Sequence, residues 1–216
     1  MKKVMILGAL VGMLAAPAVF GNTLSIKWVD SSTSPGGPFS VVLDNGRQFN
    51  TFCIEQNETF SPGQNYSYKV SETIDSGNIG GANTYTPNVG TSIANGTATL
   101  YLKYVTGGFA NAAIGTLKQL QRAIWFLQGY DGHTSGGGEI STLNDVQAFL
   151  GTTVSDIHND VFQKYNGGQV QALNLYSLDG NTLEQSHLIV VPDGGTTCAL
   201  LGVALAGLGM ARRKMS

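Results

Sequence analysis

Hydrophobic and polar residues alternate through much of the chain between residues 24 and 71. A period of two is typical of strands, because successive side chains of a strand point to opposite faces. It predicts strands over residues 24–29, 39–43, 47–55 and 66–71. The Asp44-Asn45-Gly46 tripeptide is a hairpin turn signal between the second and third of them. In the third strand the alternation places Phe49, Thr51 and Cys53 on one face, and Asn50, Phe52 and Ile54 on the other.

The pattern changes to a helical period in the middle of the chain. A stripe at three- and four-residue spacing consists of Leu117, Leu120, Ile124 and Leu127. It predicts a helix between Thr116, a candidate N-cap, and Gly129. Residues 143–150 and 154–165 are also predicted to be helical, and residues 99–105 fit either a strand or a helix. The Gly-, Asn- and Thr-rich residues 75–97 are predicted to form a long loop.

Two more strands close the predicted fold, over residues 170–177 and 186–191, with Asp179-Gly180-Asn181 as a turn. Strands, helices and strands in this order predict an α+β fold: a β-rich sandwich or barrel framework with an inserted helical lobe. An N-terminal signal peptide and a C-terminal apolar helix flank this body, which we assign to residues 22–190.

Composition narrows the class of protein. Charged residues make up 12% of the 216 residues and there are 29 glycines, as expected for a secreted, turn-rich β protein. The formal net charge is −2, and taking away the five cations at the two ends leaves −7 for the rest. Seven scattered Lys and Arg residues in a mildly acidic body form no basic patch. We therefore do not expect the protein to bind nucleic acid.

Both ends carry targeting patterns. The chain begins with Met1-Lys2-Lys3, an apolar run over residues 4–14 and small residues as far as Gly21. This order predicts a secretory signal peptide over residues 1–21. At the other end, residues 196–211 contain no charge, which predicts a marginal membrane span. The basic residues that follow are Arg212, Arg213 and Lys214, and they predict a cytoplasmic end.

A short motif precedes that apolar run: Val191, Pro192, Asp193, Gly194 and Gly195. The order of motif, apolar helix and basic cluster resembles the PEP-CTERM sorting signals of Gram-negative bacteria, in the variant that begins Val-Pro-Asp-Gly-Gly. The resemblance covers residues 191–216. It implies that an exosortase, a membrane cysteine transpeptidase, cuts near the motif and passes the body to the cell surface or its polysaccharide matrix. It concerns sorting, and the function of the body needs other evidence.

The chain has two cysteines, and Cys198 lies in the apolar tail. Cys53 is therefore the single cysteine of a body that is predicted to be exported to an oxidising compartment. Three interpretations follow: a buried, inert side chain, intermolecular pairing, or chemical use. Gln121 has its own simple interpretation, as a half-buried side chain at the edge of the apolar stripe that bonds to a backbone group.

Two short motifs bear on this choice, Phe52-Cys53-Ile54-Glu55 and Leu120-Gln121-Arg122-Ala123-Ile124-Trp125. Together they resemble the thioester domains of bacterial surface proteins, in which an aromatic-Cys motif faces a Gln-x-x-Ile-Trp motif on a helix. The resemblance implies an internal thioester between Cys53 and Gln121, in a pocket formed by Phe52 and Trp125. Leu120 stands where Gram-positive adhesins often have threonine. The alternative is therefore that the chain belongs to a related branch of this family, which keeps the fold without the thioester.

Such a bond needs a sulfur nucleophile, a glutamine amide held against it and a site that excludes water. An amine of a partner would then attack the thioester, leaving an amide and a free thiol, in one capture per molecule rather than enzymatic turnover. The amine or polysaccharide partner is not identified by the sequence. We expect no cofactor and no metal, since no cluster has ligand spacing.

Two rival hypotheses remain. A cysteine hydrolase would need a histidine near Cys53, and no motif links His133, His158 or His187 to it. A non-covalent structural protein displayed on exopolysaccharide is the stronger rival. Its carbohydrate-binding face would use the tyrosines at 66, 68, 85, 101 and 104, although aromatic residues in strands are usually core residues.

Overall fold

A computed structural model describes residues 22–30, 37–75, 91–109, 112–130, 138–151 and 162–192. Six antiparallel strands form one sheet in the order β3-β2-β1-β4-β5-β6. The strands are β1 (Thr23–Trp28), β2 (Phe39–Leu43), β3 (Gln48–Thr51), β4 (Asn65–Ser71), β5 (Val170–Tyr176) and β6 (Leu183–Val190). All the predicted strands are present, but the third ends at Thr51, before Cys53. The predicted hairpin turn is also present, with Gly46 at φ 82°.

In the described part of the chain, three α-helices lie between β4 and β5: α1 (Asn95–Lys103), α2 (Ile114–Leu127) and α3 (Gly138–Leu150). A π-helical turn, Tyr104–Gly108, continues α1, so residues 99–105 are helical rather than extended. Since β4 and β5 pair directly with each other, the helices form an inserted lobe, as predicted.

Some predicted boundaries are wrong. Thr116 is not the N-cap of α2, because Ala113 occupies that position and its main-chain carbonyl accepts the N–H of Leu117. The predicted loop over residues 75–97 ends early, since α1 begins at Asn95. Of the predicted helix at 154–165, the described residues are 162–165, and they form a turn and a bridge between Lys164 and Ala94.

The sheet curls until its two edges meet at a short seam. The main-chain N–H of Ile54 donates to Ser186 at 2.9 Å, and that of Leu188 donates to Phe52 at 3.1 Å. These bonds join the residues after β3 to β6, which is the opposite edge strand. The framework predicted as a sandwich or barrel is therefore, in the described residues, a single antiparallel sheet closed at this seam.

The buried apolar residues form two clusters, and α2 contributes to both. The helical cluster joins the helices to one face of the sheet and includes Phe52, Ile54, Leu120, Ile124 and Leu188. The strand cluster includes Ile26, Phe39, Cys53, Trp125 and Leu173. Phe52 and Cys53 thus face different clusters, as the alternation of the third strand predicted.

Candidate functional site at the seam

Cys53 lies in the middle of the seam and is 1% exposed. It forms an isolated antiparallel bridge with His187 of β6. Its main-chain neighbours, Phe52 and Ile54, make the bonds that close the sheet, so the position of Cys53 is determined by the pairing of two distant edges. Cys53 is a free cysteine in this structure.

Gln121 reaches Cys53 from α2, but it binds the main chain. Its Oε1 accepts the N–H of Cys53 at 3.0 Å, and its Nε2 donates to the Cys53 carbonyl at 2.8 Å. A glutamine amide used in this way takes the place of a neighbouring strand. Gln121 is also fully buried rather than half-buried at the edge of the stripe. The structure therefore brings the predicted pair together through the main chain of Cys53.

Gln128 repeats this arrangement two turns further along α2. Its Oε1 accepts the N–H of Ala94 at 2.7 Å, and its Nε2 donates to the carbonyl of Ser92 at 3.2 Å. Seven residues separate the two glutamines, so both lie on the buried face of the helix. Each one satisfies main-chain groups of an extended segment that packs on the helix, which gives Gln121 an evident structural role.

The thiol of Cys53 contacts a different glutamine, Gln185 of β6. The distance from Sγ to Gln185 Oε1 is 3.1 Å, and both side chains are buried. Gln185 Nε2 donates to the main-chain carbonyl of Glu55 at 2.5 Å, which holds the amide in place. Sequence reasoning missed Gln185. The available signal was the polar run Gln185-Ser186-His187 at the start of a closing strand, but nothing in it pointed to Cys53.

A cavity of about 200 Å³ adjoins the thiol and this amide. It is lined by Trp28, Phe39, Cys53, Gln56, Glu58, Thr59, Phe60, Pro62, Trp125 and Gln185. Trp125 is thus a wall of this cavity. Phe52 is not: its ring packs in the helical cluster, 4.9 Å from the ring of Tyr104, because it points to the opposite side from Cys53. The prediction of Phe52 as a pocket residue is wrong for this cavity.

Burial controls the ionisation of the site. It raises the pKa of the Cys53 thiol well above its ordinary value, and the neighbouring Glu55 carboxylate adds to the effect. Burial also raises the pKa of Glu55 to about 7, against hydrogen bonds from Ser186 that lower it. The thiol is therefore protonated at neutral pH and is a weak nucleophile unless a nearby group takes its proton.

His187, opposite Cys53, is fully buried between the rings of Phe39 and Phe60. Burial lowers its pKa to about 3, and neither ring nitrogen has a hydrogen-bond partner. The Cys–His hydrogen bond expected of a thiol hydrolase is therefore not formed by this pair. His133 and His158 lie outside the described residues. Within those residues, no group of three or more His, Cys, Asp or Glu could hold a metal ion.

The tyrosines proposed as a carbohydrate face do not share one surface. Tyr66 and Tyr101 are buried, at 6% and 1% exposure, and their hydroxyls contact Ser61 and Asn50. Tyr68 and Tyr104 are half-buried, and position 85 lies outside the described residues. The two core tyrosines cannot contribute to a common glycan-binding face.

Most of the targeting residues lie outside the described part of the chain. Val191 follows β6, and its N–H donates to Gln169 at 2.8 Å. Pro192 is the last described residue, so positions 193–195, the apolar run 196–211 and the basic residues 212–214 have no structural description. Among the residues that are described, no helix has the length and hydropathy to span a membrane.

Comparison with protein families finds a match at this end of the chain. Residues 190–215 match the family model described as the VPDSG-CTERM motif. The chain therefore carries a C-terminal sorting motif. This motif indicates an exported, surface-associated protein that is processed by a sorting enzyme of the exosortase type. It covers the end of the chain alone and assigns no function to the sheet and helices.

No curated protein matches the sequence. Among solved structures, the N-terminal domain of the pilus tip adhesin Cpa from Streptococcus pyogenes aligns with a TM-score of 0.43 and 12% identity. The alignment covers 80% of this chain and 95% of that domain. At this level the likeness is distant.

Proposed function

We propose that this protein is a surface protein that attaches covalently to an amine-bearing partner through an internal thioester, with Cys53 supplying the sulfur and Gln185 the acyl group. One observation carries the assignment: Cys53 Sγ lies 3.1 Å from Gln185 Oε1 in a buried site that adjoins a cavity. Since a carbonyl bond is about 1.23 Å long, the acyl carbon lies within about 4.3 Å of the sulfur.

Gln185 fits the acyl role better than Gln121 does. Both amide atoms of Gln121 bond to the main chain of Cys53, so attack on its acyl carbon would break two hydrogen bonds that hold the cysteine. Gln185 presents its carbonyl oxygen to the thiol, while its nitrogen, the leaving atom, lies on the carbonyl of Glu55. We therefore reassign the acyl partner and retain Gln121 as the residue that positions Cys53.

The reaction balances without a cofactor. The thiol sulfur of Cys53 bonds to the side-chain carbonyl carbon of Gln185, the carbon–nitrogen bond breaks, and the amide nitrogen leaves as ammonia with the thiol proton. An external primary amine later attacks the same carbon, which leaves a stable amide and returns the thiol. Proximity inside a buried, preformed site replaces the collision that an inert amide would otherwise need. Each molecule captures one partner and does not turn over.

Sorting would deliver this site to the cell exterior. In this proposal the signal peptide at residues 1–21 directs export, residues 196–211 and the basic cluster after them hold the precursor in the membrane, and an exosortase cuts near Val191–Gly195. The match to a sorting motif supports this order. The partner is then an amine on a neighbouring surface or in the matrix.

Intact-mass spectrometry of the purified protein tests the proposal, before and after incubation with methylamine. We expect a mass one ammonia below the sequence value, which rises by one methylamine on treatment. Cys53→Ala and Gln185→Ala remove the acyl linkage and should show no deficit. Gln171→Ala, a matched change on β5 whose amide bonds to nearby Gly168 at 3.3 Å, should keep it.

The variants also show which of the two glutamines, Gln121 or Gln185, supplies the acyl group. If the deficit persists in Gln185→Ala and is lost in Gln121→Ala with the fold retained, Gln121 is the acyl donor and the present assignment is wrong. A wild-type mass equal to the sequence value, with a thiol that can be titrated after unfolding, would remove the thioester altogether.

The second candidate function, non-covalent display, would then stand. It is favoured by the contacts of the site themselves, since a protonated thiol, Gln185 and the carbonyl of Glu55 also form a satisfied buried hydrogen-bond chain. In that case the hydrogen bonds of the seam serve stability, and the partner is held by surface contacts alone.

A further inference from the structure

The carboxyl group of Glu55 is buried with one of its two oxygens unpartnered. The residue is 1% exposed. Its Oε2 accepts the main-chain N–H of Ser186 at 2.8 Å, but its Oε1 is buried and has no hydrogen-bond partner. A buried carboxyl oxygen without a partner is costly, and such groups concentrate where chemistry requires them.

Glu55 also makes two contacts with β6 at the reacting amide. Its main-chain carbonyl accepts Gln185 Nε2, the nitrogen that would leave as ammonia, at 2.5 Å. Its carboxylate binds the next residue of β6, Ser186. The charge of this carboxylate also acts on the Cys53 thiol, whose pKa it raises. Glu55 therefore binds the nitrogen that must gain a proton through its main chain, and its carboxylate acts electrostatically on the thiol that loses one.

We propose that Glu55 is the proton-transfer residue of the Cys53–Gln185 thioester, an inference that rests on the function proposed above. Its carboxylate takes the thiol proton as sulfur attacks the acyl carbon, and it gives that proton to the amide nitrogen as ammonia leaves. Amine capture uses the same atoms in the reverse direction: the incoming amine loses a proton to Glu55, and the departing sulfur receives it. The carboxylate ends each step in its starting form.

The ionisation of the site is suited to this task. The raised pKa of Glu55, about 7, lets it accept and release a proton near neutrality. Glu55 interacts electrostatically with Cys53 and Glu58, and the titratable residues of the adjoining strand β6 are Glu184 and His187. Of these, the pKa of the Cys53 thiol lies well above its ordinary value and that of His187 is about 3, so neither changes charge near pH 7. Glu55 is the group placed to exchange protons there.

The Glu55→Gln variant distinguishes a role of Glu55 in proton transfer from a structural role. The amide has nearly the same shape, keeps an acceptor for the Ser186 N–H and leaves the main-chain carbonyl in place, but it cannot take a proton. Glu72→Gln, at an exposed position on the segment after β4, is the matched change of charge remote from the seam. Both variants are compared with the wild type for the fraction that carries the ammonia deficit and for the rate of methylamine addition.

We expect Glu55→Gln to be slower than the wild type in both steps, so that a smaller fraction carries the ammonia deficit. The fraction that does carry it should add methylamine at least ~100-fold more slowly, the usual size of a lost acid–base group. Glu72→Gln should match the wild type. Equal rates in Glu55→Gln and the wild type, with the deficit present in both, would overturn the role of Glu55 and leave the thioester intact. Absence of the deficit from the wild type would instead overturn both.

If Glu55→Gln does not fold, the pH dependence of the wild-type reaction tests the role of Glu55 in proton transfer. The rate of methylamine addition, divided by the concentration of unprotonated methylamine, should rise through a single ionisation near pH 7 and then level. A profile that is flat from pH 5.5 to 8.5 would mean that no group with the properties of Glu55 takes part.

Discussion

Replacing Gln121 by alanine removes both side-chain partners of the Cys53 main chain. The wild-type amide accepts the Cys53 N–H at 3.0 Å and donates to the Cys53 carbonyl at 2.8 Å, and it is fully buried. Alanine reaches neither group. Because the seam on either side of Cys53 is already committed to Ser186 and Leu188, the chain cannot easily turn to find new partners.

The size of the effect follows from these two bonds. A buried polar group that loses its partner costs about 1–3 kcal/mol, so the two main-chain groups together cost roughly 2–6 kcal/mol. The free energy of unfolding of an ordinary domain is about 5–15 kcal/mol, so this loss is a large share of it.

Urea denaturation of the wild type and of Gln121→Ala measures this difference. The control is Gln119→Ala on the same helix, whose amide makes one bond of 3.3 Å to Asp145 in a partly exposed position. It should change the free energy of unfolding by no more than about 0.5 kcal/mol. A loss below about 1 kcal/mol in Gln121→Ala, with an unchanged denaturant slope, would refute the view that this amide supports the seam.

Two further substitutions test the surroundings of the site. The pKa of His187 is about 3 in the folded protein and 6.5 in the unfolded chain, so the unfolded chain binds more protons between these values and stability falls as the pH falls through this window. His187→Phe lacks this loss. As the pH is lowered from 6 to 4, the free energy of unfolding of the variant should therefore rise relative to that of the wild type by about 1.4 kcal/mol per pH unit. A difference that does not vary with pH would contradict the buried, neutral imidazole. Phe52→Ala should cost about 3–5 kcal/mol in the same denaturation assay, because it empties a fully buried site in the helical cluster. Phe49→Ala, at a half-buried position of β3, should cost clearly less, and equal losses would contradict the assignment of Phe52 to the core.

Local patterns in the sequence were sufficient to predict much of the fold. The alternation along β1, β2 and β4 and the apolar stripe of α2 depend on which face of one element is buried, and that information lies in neighbouring residues. Gly46, at positive φ, likewise marks its turn through the chemistry of a single residue. The sorting motif is a linear signal, so it could be read without any structure.

Local sequence patterns predicted less where contacts between distant segments determine the structure. Thr116 looked like an N-cap, but α2 starts two residues earlier, at Ile114, without a side-chain cap. Residues 99–105 carried no decisive period, and packing against α2 and α3 accompanies their helical form. Phe52 was placed in the cysteine pocket because its motif resembles that of thioester domains. The alternation of the sequence itself sends Phe52 and Cys53 to different clusters.

The sequence by itself determined the strands, the main helix and the sorting motif, and it singled out Cys53 and Gln121 as candidates. Only the tertiary structure decided what Cys53 touches. Gln185 is 132 residues from Cys53, and the two meet because the outer strands of a six-stranded sheet curl round and join. The same closure buries Glu55 against Ser186 and leaves Gln121 to satisfy the main chain. A sheet edge carries no local mark of which distant edge will pair with it, since backbone hydrogen bonds form between any two extended segments that packing brings together.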